Sequence, residues 1–201
     1  MVKKITFFVL ILFTISLKAE VKVNTINFLE SVGVNFNGAG PLLVQMDSIR
    51  NRIILANTLS SSVSIIEGQT HEVTNIPLTG RAYQHLKSEA MTINQKNGNI
   101  YLISRNCFHL IYPDKKTSET IQTEKQFESI AVDETTGNVF LAGRECKNLA
   151  FYNARTKKFK LKKWLETEEK LINMNATPPP PIRKVIADSD LGQIIAIDGL
   201  T

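Results

Sequence analysis

The stretch GNIYLISRNCF, Gly98–Phe108, returns as GNVFLAGRECK at Gly137–Lys147, thirty-nine residues further along the chain. Gly, Asn, a β-branched residue, an aromatic, Leu and then Arg-X-Cys recur in the same order. Self-similarity at a fixed spacing is the mark of a repeat architecture. Two further stretches join the series, DSIRNRIILANTLSSSVSIIEG from Asp47 and DSDLGQIIAIDG from Asp188. Each of the four begins with Asp or Asn and a polar turn. Each then enters a short apolar strand, at Ile53, Ile100, Val139 and Ile194, separated by 47, 39 and 55 residues.

A period near 40–50 residues with several short strands per unit predicts β-propeller blades. The expected strands of the first unit are 41–46, 52–58, 62–68 and 72–78. Those of the second are 89–94, 99–105, 108–113 and 118–123. The third gives 127–133, 138–144, 148–154 and 158–164, and the fourth only 183–188 and 193–198. The fold class is therefore all-β, with four-stranded antiparallel blades and about three and a half of them, too few to close a ring of about 4–8 blades. Helical periodicity is confined to a short segment, 166–174.

Strands rich in Ile, Val, Leu, Phe and Tyr suit blade faces that pack on neighbouring blades. Gly98, Gly137 and Gly192 stand where the first hairpin of each blade needs positive φ, and Asn51 holds the same place one blade earlier. Residues 41–80, 88–123, 127–164 and 183–201 are assigned as the blades, the last one partial. Residues 21–40 form a lead-in, whose segment 21–34 is a candidate strand for completing a last blade. A Pro-rich connection, 165–182, carries Pro178–Pro181 as an extended spacer or as a rim feature for a partner.

The first unit, DSIRNRIILANTLSSSVSIIEGQTHEV, resembles the YVTN-type β-propeller repeat. The family's strand–Ser-rich turn–strand order is matched by Arg52–Asn57, Ser60–Ser62 and Val63–Glu67. The second and third units follow in register, with Ile103-Ser104 and Ala142-Gly143 replacing the "AN" pair. The resemblance implies an exported, usually non-catalytic propeller, and it brings no active-site residues with it.

The N-terminus supports export. Lys3 and Lys4 precede an apolar run, 5–17, that is too short to span ~30 Å of hydrocarbon and ends near Ala19, the pattern of a secretory signal over residues 1–20. An uncleaved anchor or a buried strand is the alternative. Loss of that segment lowers the formal charge from +5 to +3, which gives no argument for nucleic acid. The expected location is periplasmic, secreted or cell-surface, with no membrane-crossing helix after signal removal.

Composition is that of a folded protein, 43% hydrophobic and 21% charged. Cys107 and Cys146 are the only cysteines and fall in the same turn of adjacent blades. An oxidising compartment permits a disulfide between them. Equivalent turns of adjacent blades lie on the order of 10 Å apart, whereas a disulfide needs Cα atoms within about 4.4–6.8 Å. Two unpaired thiols, or pairing with cysteines outside this sequence, are the alternatives. Arg105 and Arg144 repeat with them, as a rim that binds anions or as side chains that bond turn carbonyls.

His71, His85 and His109 show no metal-ligand spacing, and GxSxG, P-loop and GxGxxG motifs are missing. Glu67, Asp133, Asp188 and Asp198 are placed at turns, where carboxylates cap backbone N–H groups. Arg155–Trp164, RTKKFKLKKW, reads as an outer strand whose lysines block edge pairing, or as a surface for anions. Asn175-Ala176-Thr177 matches a glycosylation acceptor but is followed by Pro178. No cofactor is indicated. The incomplete ring is read as the N-terminal part of a longer propeller, with self-association as the other way to close it, and the leading expectation of function is a binding scaffold for a protein or surface component. The alternatives are a propeller enzyme (a lactonase-like hydrolase or a quinoprotein-like oxidoreductase) and a structural surface-layer component.

Overall fold

The computed structural model describes residues 40–78, 90–104, 106–143, 148–163 and 182–198. These form fourteen strands in chain order. The first blade is β1 (Pro41–Asp47), β2 (Arg52–Asn57), β3 (Ser62–Glu67) and β4 (Val73–Pro77). The second is β5 (Met91–Ile93), β6 (Ile100–Ser104), β7 (Cys107–Tyr112) and β8 (Thr117–Gln122). The third is β9 (Ser129–Val132), β10 (Val139–Ala142), β11 (Asn148–Asn153) and β12 (Lys158–Lys163). β13 (Ile182–Asp188) and β14 (Gln193–Asp198) pair as a two-stranded sheet, the inner half of a fourth blade. Every sheet is an antiparallel meander in sequence order, the topology of a β-propeller blade.

The four units share one register. Met46 pairs with Ile53, Ile93 with Ile100, Val132 with Val139, and Ala187 with Ile194. Because side chains alternate across a strand, equivalent positions point to equivalent blade faces. The backward face of each blade, turned to its predecessor, carries those pairs. The forward face carries Ile54 and Ala56, then Tyr101 and Ile103, then Phe140 and Ala142.

The core is the sum of the interfaces. The first three blades share one continuous apolar cluster. Within it Phe108, on the forward face of the second blade, stacks on Tyr101 at 6.2 Å and meets Tyr152 and Phe159 of the third blade at 5.2 and 6.0 Å. The fourth sheet joins through a smaller cluster, Ile182 and Val185 against Ala131, Ala142 and Leu149.

The same register shows where neighbours are lacking. Val44 and Met46 of β1 are 64% and 60% exposed, whereas their equivalents Met91 and Ile93 are 1% and 5% exposed under the first blade. At the other end Ile195 and Ile197 are half-exposed, although the equivalent Ile54 and Ala56 are buried. The fourth sheet covers only the inner part of the third blade. Over the outer part lies an open cavity of about 400 Å³ lined by Phe140, Leu149, Phe151, Lys160 and Leu161. The described residues thus form an arc of three and a half blades; the exposed apolar side chains on the first blade's backward face, Val44, Met46 and Ile53, belong to β1 and β2, whereas Leu55 and Ile66 on that same face are buried.

Candidate functional site

A meander puts the turns after strands one and three of every blade at one rim, and the turns after strands two and four at the other. The first rim is built from one repeated device. Asp47, Asn94, Asp133 and Asp188 each end an inner strand, and four residues later stand Asn51, Gly98, Gly137 and Gly192. These four have φ of 52°, 75°, 72° and 63°, the left-handed region that a glycine or asparagine enters at least cost. The leading side chain bends back on its own turn. Asp47 Oδ1 accepts from the Arg50 N–H, Asn94 Oδ1 from Lys96 and Asn97, Asp133 Oδ1 from Thr135, and Asp188 Oδ1 from Asp190 and Leu191. Such Asx turns close a hairpin without help from the neighbouring strand.

The turns also bond to one another. Arg50 pairs with Asp47 at 3.2 Å and donates to the carbonyls of Gln95 and Lys96, both at 2.9 Å. Gln95 accepts from the Ser48 N–H and donates to the Met46 carbonyl. Lys96 donates to Thr135, and the Glu134 N–H donates to Ser189 Oγ at 2.7 Å. The carboxyl of Asp133 is raised by partial desolvation, but hydrogen bonds from Thr136, Thr135 and Ser189 outweigh that and hold it below the ordinary carboxylate range. Asp133 and Asp188 are therefore spent on the turns that they cap.

A Cβ added at Gly98 would lie 2.8 Å from Arg50 Nε, whereas one at Gly137 meets nothing closer than 3.4 Å. Gly98→Ala is expected to lose about 1–3 kcal/mol from the left-handed φ and the displaced Arg50 clamp. Gly137→Ala should lose less, since only the φ cost applies. Urea unfolding of the two variants checks the order.

A second device crosses strands two, three and four on the backward face. In the first blade Asn57 donates to Ser64 Oγ at 2.7 Å, and Ser64 donates to Asn75. In the second blade the equivalent residues are Ser104, His109 and Thr120. His109 Nε2 lies 2.7 Å from Ser104 Oγ, and Nδ1 lies 2.8 Å from Thr120 Oγ1. Burial alone pushes the His109 pKa down to about 4, so the ring is neutral at neutral pH. In the third blade the set becomes Gly143, Ala150 and Leu161, with no polar side chain. These groups tie strands together inside a blade. Both ring nitrogens of His109 thus meet hydroxyls of neighbouring strands in its own blade.

The remaining sequence candidates separate by rim. Cys107 opens β7 opposite Ser104, is half-buried, and has its thiol pKa pushed up by desolvation. Cys146, Arg105, Arg144 and His85 lie outside the described residues, as do the signal segment, residues 21–34, the connection 165–181 with Pro178–Pro181, and the acceptor Asn175. His71 takes φ 59° in the turn after β3 and is exposed. Glu67 pairs with Arg52 at 2.9 Å, and Arg52 reaches on to Asp114 of the second blade at 3.2 Å. β12 is an outer edge strand. Its Lys158 and Lys160 are exposed, while Phe159 turns inward to Phe108 and Phe127.

Among the described residues no group of three or more His, Cys, Asp or Glu is placed to hold a metal ion. None of the described helices is long and apolar enough to cross a membrane. Sequence reasoning missed the cross-strand polar triads. Their signal was present, because Asn57 and Ser104 are equivalent by the repeat, but the strand-three partner changes from Ser to His and breaks the visible pattern.

The chain matches no family model and no curated protein. Among solved structures it is similar to the Kuenenia stuttgartiensis hydrazine synthase, with a TM-score of 0.59 and 14% identity over 81% of this chain and 43% of that one. It is also similar to a chain of a nidogen/laminin complex, with a TM-score of 0.52 and 13% identity over 79% of this chain and 56% of that one. The chain spans roughly half the length of these neighbours. At such identities the likeness is one of fold, and the fold is a β-propeller arc.

Proposed function

We propose that this chain is an exported, non-catalytic β-propeller of the YVTN-repeat type that holds a protein or surface component on one rim. The observation that carries this reading is the asymmetry of the two rims. On the rim formed by the turns after strands one and three, the described turns are short, and in the turns after strand one the leading Asp or Asn caps its own hairpin while Arg50, Gln95 and Glu134 bond to the next or preceding blade. At the opposite rim β4 ends at Pro77 and β5 begins at Met91, and β12 ends at Lys163 and β13 begins at Ile182, so the two longest stretches of sequence between strands start and finish there. Rigid scaffolds present ligands to such connections, which tolerate change that the scaffold does not. A protein partner is in keeping with the nidogen/laminin likeness, since that neighbour was captured in a complex. The signal-like N-terminus supports export.

A photo-crosslinking amino acid placed at position 85 or 170 in the exporting cells should yield a discrete adduct with one partner. The same group at position 116, on the opposite rim, should yield none. Adducts of equal strength from both rims, or an uncleaved N-terminus on cytoplasmic protein, would overturn the reading.

A further inference from the structure

The outer strand of the third blade differs from its equivalents. β4 and β8 carry no Lys or Arg, whereas β12 reads KFKLKK. The run 147–163 around it holds seven Lys or Arg and no Asp or Glu, so the formal +5 of the whole chain resides there. Lysines on a sheet edge repel a second strand of the same kind. Protection alone does not account for them, because β4 and β8 are sheet edges too and do without. Lys158 and Lys160 are exposed, and neither pairs with a carboxylate among the described residues. The other face of β12 carries Phe159, which meets Phe108 of the second blade, and Leu161 beside it. On that face lies a cavity of about 260 Å³, lined by Phe127 and Phe159, by Leu161 and by the link from Gln122 to Lys125. The two phenylalanine rings lie 6.0 Å apart. The cavity is smaller than the ~300–1,000 Å³ of pockets that enclose small molecules, and it suits one large apolar side chain. Edge and cavity are both made by the second and third blades alone.

We infer that β12 takes an extended acidic segment of a partner protein as an added strand on the edge of the third blade. This rests on the reading of a partner held at the rim where the link 122–125 lies, and it names that partner's chemistry: Asp or Glu alternating with apolar residues. The backbone N–H and C=O groups of an edge strand are matched by a peptide backbone, as in β-strand addition. A polysaccharide or a lipid surface supplies no such ladder. Residues directly opposite each other on paired strands share a face. The residue opposite Leu161 therefore stands over the cavity of Phe127 and Phe159. Those opposite Lys158 and Lys160 stand on the other face, beside two ammonium groups that favour carboxylates. The same charges select against a second copy of β12, whose lysines would face these.

The experiment is fluorescence anisotropy of the purified full chain with a labelled synthetic peptide of about eight residues, long enough for an ordinary strand, in which glutamate alternates with valine around one central phenylalanine. Expected is saturable binding, at least about tenfold tighter than that of a scrambled peptide of the same composition. Lys158→Glu combined with Lys160→Glu should weaken it at least about tenfold and turn the preference toward a peptide with lysine in place of glutamate. Leu161→Asn, at a position 42% exposed, should weaken it roughly fivefold and keep the preference for acid. Unchanged far-UV circular dichroism establishes that the variants fold. N-methylation of alternate peptide bonds keeps every side chain and charge of the peptide and removes its ladder donors, so one of the two methylated phases should lose binding. No binding of the alternating peptide, equal binding of the scrambled one, or full binding of both methylated phases overturns the inference. Where that happens while position 85 or 170 still gives its discrete adduct, the rim reading stands and the acidic strand falls.

Discussion

Phe108→Ala is expected to lower the unfolding free energy by about 3–5 kcal/mol, the largest loss of any single truncation in the described core. The ring is fully buried on the forward face of the second blade. It stacks on Tyr101 with planes 5° apart, and it is met at a tilt by Tyr152 and Phe159 from the third blade. Truncation removes apolar transfer energy and leaves a void between two sheets, which the hydrogen-bonded ladders on either side cannot collapse to fill. Aromatic pairing adds about 0.5–1.5 kcal/mol for a contact of this kind. Phe108→Leu keeps much of the volume and should recover at least half of the loss. Urea unfolding of the two variants gives both numbers. A loss below about 1 kcal/mol for Phe108→Ala would mean that the second and third blades are not packed face to face.

Acidification should weaken the fold before its carboxylates titrate. His109 has a folded pKa of about 4, lowered by burial from an ordinary value of 6.5. The unfolded chain therefore takes up a proton on this ring from pH 6.5 downward, while the folded chain does not until about pH 4. Stability is full above pH 6.5, falls through that window by up to about 3 kcal/mol, and has no more to lose from this residue below it. His109→Gln keeps a donor and an acceptor between Ser104 and Thr120 and cannot titrate. Its stability should be flatter from pH 6.5 to 4 by that same amount. Chemical denaturation at several pH values measures the slope, and parallel slopes for wild type and variant would show that the ring is already solvated.

Much of the fold was legible because its strand signals are local. Each strand of the three full blades falls within two residues of the apolar run that announces it, and β13 begins one residue earlier, at Ile182. The positive-φ positions were legible too, since few residues other than Gly98, Gly137, Gly192 and Asn51 fit a hairpin of that shape cheaply. The blade-to-blade chemistry was not. Arg50 and Gln95 lie 45 residues apart and carry no mark in the sequence that they meet, yet Arg50 covers the turn at Gly98. His109 looked like one of three scattered histidines, and only strand pairing sets it between Ser104 and Thr120. The candidate rim fared differently: Arg105, Arg144 and Cys146 lie outside the described residues, so their part in binding rests on the repeat alone.

The central claim is that the blades stack, so that backward-facing side chains of the inner strand are buried in the second blade and exposed on β1. Methionine oxidation by dilute peroxide, followed by peptide mass spectrometry, tests it directly, because Met46 and Met91 both lie on inner strands and face backward. Met46 is 60% exposed, and Met91, one blade on, is 1% exposed. Expected is oxidation of Met46 at least about tenfold faster than that of Met91, as thioether reactivity follows exposure. Equal rates, or a protected Met46, would contradict the stacking of the blades.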